Sequence, residues 1–350
     1  GGTGLSGETV RVELRYDIDA PSAPTTVIAK FPTPDPANRG MVESLDSYAR
    51  EIEFYRNLAA HVPCRVPRHL GSDYDPGRGQ GVAQRVNRVV DRLPARVHLA
   101  ITKDITKFMR PTKRRYVLLI EDVGGATVHD IVAPPPLERV EQLLGELADL
   151  HGAFWGRSDL ADHAATRILV TDIPSTYVNV FRGRCRPMAE ERWVDWLDHR
   201  MAEVLDTCER TFAADVAHIN EAHTLVHGDP RSDNVLFCDD GEIVLLDWGQ
   251  PGYGHPAFDV AYAISAAVTV DDMSAHLDSL LDAYLARLHE AGGALQRDSL
   301  VAAIESAARA LLLQNINGLS VLTSDFGEAG VLADLWVPRL LALLGAPRST

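Results

Sequence analysis

Apolar positions change their spacing about a third of the way along the chain. Before residue 122 they come in short runs: 10–16 alternates, 26–29 is brief and β-branched, and 66–73 and 116–120 read as further strands. One helical stretch interrupts them. Across 46–60, Leu45, Tyr48, Ile52, Tyr55 and Ala59 fall on a single face at three- and four-residue steps. After residue 122 helical spacing dominates. Val140, Leu143, Leu144, Leu147 and Leu150 stripe a helix over 137–154, and Trp193, Trp196, Leu197, Met201, Leu205 and Phe212 stripe another over 189–213. Further helices are expected over 273–290, 300–316 and 331–344, with a shorter one over 260–268 that Asp259 would cap. The pattern predicts an α+β chain of two parts: strands and one helix in 1–122, mainly helices in 123–350.

One stretch of the second part breaks its helical habit. Residues 225–247 read LVHGDPRSDNVLFCDDGEIVLLD. Two apolar runs flank Asp239-Asp240-Gly241, a hairpin signal, so the segment is a ribbon with Asp229, Asn234 and Asp247 at its loops. Turn chemistry alone could supply such residues. Phosphoryl transfer, however, asks for this set: a carboxylate to orient a hydroxyl and accept its proton, and an amide with a second carboxylate to hold magnesium on the phosphates. The kinase catalytic loop has the same Asp-to-Asn spacing, followed by a metal-binding Asp on the next hairpin.

With Asp247-Trp248-Gly249 closing it, the HGD-x-x-x-x-N segment resembles the aminoglycoside phosphotransferase and choline kinase superfamily. Its wording is closest to the ecdysteroid-kinase-like small-molecule kinases, which is also true of Arg50-Glu51-Ile52-Glu53-Phe54-Tyr55. The likeness runs by motif over about 2–263. It implies a bilobal protein-kinase-like fold, with a small antiparallel sheet lobe and a large helical lobe. The implied activity is ATP- and Mg2+-dependent phosphorylation of a hydroxyl on a small molecule, with GTP as a second candidate donor. Asp229 would then be the catalytic base and Asn234 and Asp247 the metal ligands. Lys30, closing the 26–29 strand, matches the lysine that holds phosphates; a solvated strand-end lysine is the plainer alternative. Glu51 lies nearer the apolar face of its helix than Glu53, so Glu51 is the expected partner of Lys30. The resemblance also implies that backbone groups of Glu121 and Val123, where the small lobe ends, pair with the base of the nucleotide. Gly2, Gly4 and Gly7 form a G-x-G-x-x-G loop that would cover the phosphates. No strand precedes it and no Met opens the chain, so the strand expected there is read as cut away before Gly1.

Composition and charge narrow the partners. The net charge of −15 argues against general nucleic-acid binding. Four well-separated cysteines with no metal-ligand spacing imply reduced thiols in a cytoplasmic protein, and no apolar run is long enough to span a bilayer. The charge is uneven: 76–115 carries +9 and the rest of the chain −24. Val82, Val86, Val89, Leu93 and Val97 recur there beside Arg85, Arg88, Arg92 and Arg96, with Pro94 breaking any single helix. Three uses fit: a flap docked on the acidic large lobe, a peripheral membrane contact, or a grip on an anionic acceptor such as a hydroxyacyl-coenzyme A. Gly228 stands where protein kinases carry an Arg that pairs with a phosphorylated loop, which argues against loop phosphorylation and against a protein substrate. The non-enzymatic alternative is a pseudokinase that binds nucleotide without turnover.

Overall fold

The structure is a computed structural model that describes residues 2–3, 7–19, 21–75, 86–103, 112–130, 132–192, 199–321 and 327–345. Five antiparallel strands open the chain: β1 Gly2–Thr3, β2 Gly7–Glu13, β3 Thr26–Pro32, β4 His69–Tyr74 and β5 Tyr116–Glu121. They lie in the order β1-β2-β3-β5-β4. Two helices, α1 Pro36–Ser44 and α2 Ser47–Asn57, follow β3. α2 packs on the sheet through Ile52, Phe54 and Tyr55, all nearly inaccessible. Gly2 and Thr3 form a short strand that pairs with Thr9 and Glu8. Gly2 is therefore a strand residue and Gly7 opens the next strand, while Gly4 lies outside the described residues.

Between β4 and β5, inside the basic segment, lies a helix α3 at Ala95–Lys103. The segment is helical over 86–90, turns, and resumes as α3 after Pro94, the break expected of a residue without an amide hydrogen. Its apolar stripe is not packed inward. Val86 and Val89 are 55% and 62% exposed, and polar groups anchor the segment instead. Asn87 donates to both oxygens of Asp172 at 3.0 Å. Asp91 accepts from the amides of Ser175 and Thr176 at 3.3 and 2.7 Å. His98, fully buried, bonds Asn179 and the carbonyl of Val90. Arg85 and Val82 lie outside the described residues. A helical period establishes that one face differs from the other; here hydrogen-bond satisfaction decided which face turned inward.

The rest is helical apart from short ribbons. α4 Leu137–Ala153, α5 Pro174–Val180, α6 Arg186–Arg192 and α7 His199–Ile219 precede the 225–247 segment. A π turn at Phe181–Cys185 joins α5 to α6. The helix expected over 189–213 is helical at both described ends, 189–192 and 199–213; Trp193, Trp196 and Leu197 lie outside the described residues. After the ribbons come α8 Ala257–Ala267, α9 Val270–Glu290, α10 Arg297–Val321 and α11 Gly327–Gly345. Every residue of α8 is buried. A helix apolar all round belongs in the middle of a core, and α8 packs against α4, α10 and α11. Asp259 sits in the first turn of α8 rather than at its cap, which is Pro256; its carboxylate serves a different segment. The four cysteines are buried and form no disulfide among the described residues. No helix among the described residues is long and apolar enough to cross a membrane.

Candidate active site

The ribbon is a three-stranded antiparallel sheet: β6 Ala126–Val128, β8 Val235–Cys238 and β9 Ile243–Leu245. Just before it, β7 Thr224–Val226 pairs with β10 Gly252–Gly254. The Asp-Asp-Gly turn sets the register, placing Val235 opposite Leu245 and Phe237 opposite Ile243. The Leu246 amide then donates to the Asn234 carbonyl at 2.8 Å. Asp247 is one residue further, so a local hairpin brings the Asn and the second Asp to one end.

Asp229 lies on a loop held from beneath. The amides of His227 and Gly228 donate to the two oxygens of Asp259 at 2.6 and 2.9 Å. His151, wholly buried, bonds Asp259 through Nε2 and the Tyr284 hydroxyl through Nδ1. His227 Nε2 meets the Leu246 carbonyl at 2.8 Å and Nδ1 accepts the Asp229 amide at 3.2 Å, which fixes the proton on Nε2. Gly228 has φ +83°, and a Cβ there would come within 1.9 Å of the Gln250 carbonyl oxygen, so only glycine fits. Asp229 Oδ1 is buried without a hydrogen bond, although Arg231 Nε stands 3.2 Å away. The charge of Asp229 outweighs burial and holds the Arg231 guanidinium above its ordinary range. The Tyr262 phenol, beside Asp229, is kept un-ionised by burial and then by that carboxylate. Asn234 donates from Nδ2 to the Asp229 carbonyl at 2.9 Å, leaving its Oδ1 free for a cation.

The small lobe reaches the ribbon through Lys30. Its Nζ is 2.5 Å from Glu51 Oε1 and 3.6 Å from Asp247 Oδ1. Burial alone would lower the lysine, but the two carboxylates more than reverse this and hold it above its usual range. Lys30 depresses Asp247 below the ordinary carboxylate range, whereas burial raises Glu51. Glu53 points elsewhere and accepts from the Tyr74 hydroxyl. Trp248 stacks on Phe54 of α2 at 3.9 Å between centroids, nearly coplanar, and its other neighbour is the His227 ring at 4.4 Å.

A recess of about 470 Å3, open to solvent, gathers Gly7, Lys30, Tyr48, Glu51, Tyr116 and Asp247. It does not take in Asp229, Asn234, Glu121 or Val123. The amide of Glu121 already donates to Arg68, which leaves Glu121 only its carbonyl for a ligand; Val123 makes no main-chain hydrogen bond among the described residues. Sequence reasoning passed over Arg231, Tyr262 and the Phe54–Trp248 stack. Arg231 had a signal, an arginine two residues from the candidate base, while the stack joins residues remote in sequence. Among the described residues no group of three His, Cys, Asp or Glu could hold a metal. The oxygens of Asn234 and the ionised Asp247 fit a hard cation completed by phosphate oxygens and water.

Sheet order, the pair between Lys30 of β3 and Glu51 of α2, and the ribbon define a protein-kinase-like fold. Residues 15–298 match the model of the phosphotransferase enzyme family. The chain belongs to that family and is a phosphotransferase. Among solved structures it is similar to the choline kinase LicA of Streptococcus pneumoniae, with a TM-score of 0.52 at 9% identity over 97% of this chain and 95% of that one. It is also similar to aminoglycoside 2'-phosphotransferase-IIIa in its GDP complex, with a TM-score of 0.51 at 14% identity over 91% and 85%. At these identities the likeness is one of fold. No curated protein matches the chain.

Proposed function

We propose that the protein transfers the γ-phosphoryl group of ATP, with GTP as the alternative donor, to a hydroxyl of a small molecule. The observation that carries this reading is the contact of Lys30 with both Glu51 and Asp247 across the two lobes. A pseudokinase that binds nucleotide could use the same contact, but it would have no need of Asp229 on its braced loop. In this reading Asp229 Oδ1, free of other hydrogen bonds, accepts the proton of the acceptor hydroxyl as its oxygen attacks the γ-phosphorus. The bond to the bridging oxygen breaks and the nucleoside diphosphate leaves. Lys30 holds donor phosphates and Glu51 positions Lys30. Residues around Gly7 cover the phosphates, and Glu121 and Val123 meet the base with their backbone. Magnesium held by Asn234 Oδ1 and Asp247 would neutralise charge on the phosphates.

The test is magnesium-dependent nucleotide turnover against a panel of alcohols, with Asp229→Asn beside the wild type. The substitution should leave nucleotide affinity nearly intact and slow turnover by about 10²-fold or more. Equal turnover in both proteins would remove Asp229 from the role. Nucleotide binding with no turnover on any alcohol would favour the pseudokinase.

A further inference from the structure

Two guanidinium groups at the junction of the lobes touch no carboxylate directly among the described residues. Arg50 is on α2, and Arg167 lies in the connection between α4 and α5. Arg167 spends three of its five donors: Nε on the Ile168 carbonyl at 2.9 Å, one Nη on Val170 at 3.1 Å, the other on Gln250 Oε1. Gln250 donates in turn to Ser47 Oγ at 2.6 Å, and Ser47 opens α2 one turn before Arg50. Arg50 donates to the Leu45 carbonyl, and its Nε is buried with no hydrogen-bond partner. Neither arginine makes an ion pair among the described residues.

The acids within reach are already engaged. Asp46, near Arg50, is held by Arg114 at 3.0 Å. Asp229, near Arg167, is paired with Arg231, and Asp172 turns both its oxygens to the Asn87 amide instead of to the guanidinium. Burial, with the charge of Arg167 added, pushes Arg50 down to about 10, and burial lowers Arg167 as well. Two like charges half out of water and unpaired are costly. Such an arrangement persists at little cost only if an anion completes it.

Position says whose anion. The Arg167 amide donates to the Pro251 carbonyl at 3.0 Å, and Gln250, which the guanidinium holds, lies against Gly228 of the Asp229 loop. Tyr177 and Tyr262, the second of them beside Asp229, are also neighbours of Arg167. The loop is fastened: Leu169 exchanges hydrogen bonds with the Asn220 side chain at 2.8 and 3.2 Å. We infer that Arg50 and Arg167 form an oxyanion site for a carboxylate or phosphate borne by the acceptor whose hydroxyl meets Asp229. Guanidinium forks suit either group. The placement on the acceptor rests on the phosphotransferase reading; the anion site itself does not.

The first arm needs no catalysis. Inorganic sulfate is titrated against the melting temperature and by calorimetry, without nucleotide. The wild type should be stabilised by sulfate. Arg50→Gln should lose that response while melting no lower than the wild type in its absence, because a like charge has gone. Arg167→Lys, which keeps the charge but not the fork, should bind sulfate about tenfold more weakly or worse. Asp229→Asn should keep the full response. The second arm compares alcohols carrying a carboxylate or phosphate with their uncharged esters, and Arg50→Gln should raise KM for the anionic member of each pair only. Loss of sulfate binding with every KM unmoved would assign the site to a free anion instead. A protein that binds sulfate through these arginines yet phosphorylates no alcohol would sink the kinase reading and keep the site. A wild type indifferent to sulfate, or variants that bind it equally, would overturn the inference.

Discussion

The two ends of the catalytic ribbon are held by different means. The His227–Asp229 end rests on buried hydrogen bonds from its own lobe: Asp259 beneath the loop, His151 beneath Asp259, Tyr284 beneath His151. The Asp247 end is held from the other lobe, by the charge of Lys30 and by the stack of Trp248 on Phe54. Directional bonds in a dry core fix one geometry. An ion pair and a stack across a lobe boundary depend on where α2 sits. The Asp229 end is therefore set once, at folding, while the Asp247 end answers to the position of the small lobe.

The contrast can be broken from either side, and the largest effect should come from Asp259. Asp259→Ala leaves two buried amides and His151 without their acceptor, and should cost about 3–5 kcal/mol in denaturant unfolding. The folded fraction should still bind nucleotide at near wild-type affinity; a parallel loss of affinity would mean that the two ends are one unit. Phe54→Ala removes one face of the stack and should cost about 3 kcal/mol. Its kinetic signature should differ, with KM for the nucleotide rising by more than kcat falls.

The smallest test concerns Glu51 and Asp247, which share Lys30 but titrate in opposite senses. Asp247 is depressed in the folded protein, so its contribution is present above its unfolded value near 4 and is lost as pH falls through the lower folded value. Glu51 is raised by burial, so it penalises the fold increasingly as pH climbs from its unfolded value toward the folded one. In metal-free unfolding experiments below neutral pH, Asp247→Asn should flatten the loss of stability on acidification. Glu51→Gln should remove the opposing slope. Slopes of the same sign would show that one of the two carboxylates is misplaced.

How much of this could be read from the chain depended on distance along it. Asp229, Asn234 and Asp247 belong to one hairpin whose register an Asp-Gly turn sets locally, so their spacing was a structural statement. Glu51 was distinguishable from Glu53 because 100° per residue separates their faces. Contacts such as Arg167 with Gln250, or Phe54 with Trp248, link residues with no common period and left no pattern to read. The basic segment failed differently. Its periodicity was real, but Asn87 and Asp91 found partners on α5 and its N-terminal approach, and their hydrogen bonds turned the valines outward. That Gly2 belongs to a strand could not be read, because a two-residue strand is too short to show alternation.

Gly228 also bears on how this protein could be controlled. In protein kinases the same position bears the arginine that reads a phosphorylated loop, and loop and arginine together act as a latch. Here the main chain of Gln250 occupies the volume that any side chain at residue 228 would need. The latch has no seat. Grafting phospho-control onto this protein would require rerouting the peptide after Asp247, the same stretch that carries Trp248 to its stack and Gln250 to Arg167. What protein kinases leave loose for regulation, this chain has spent on construction.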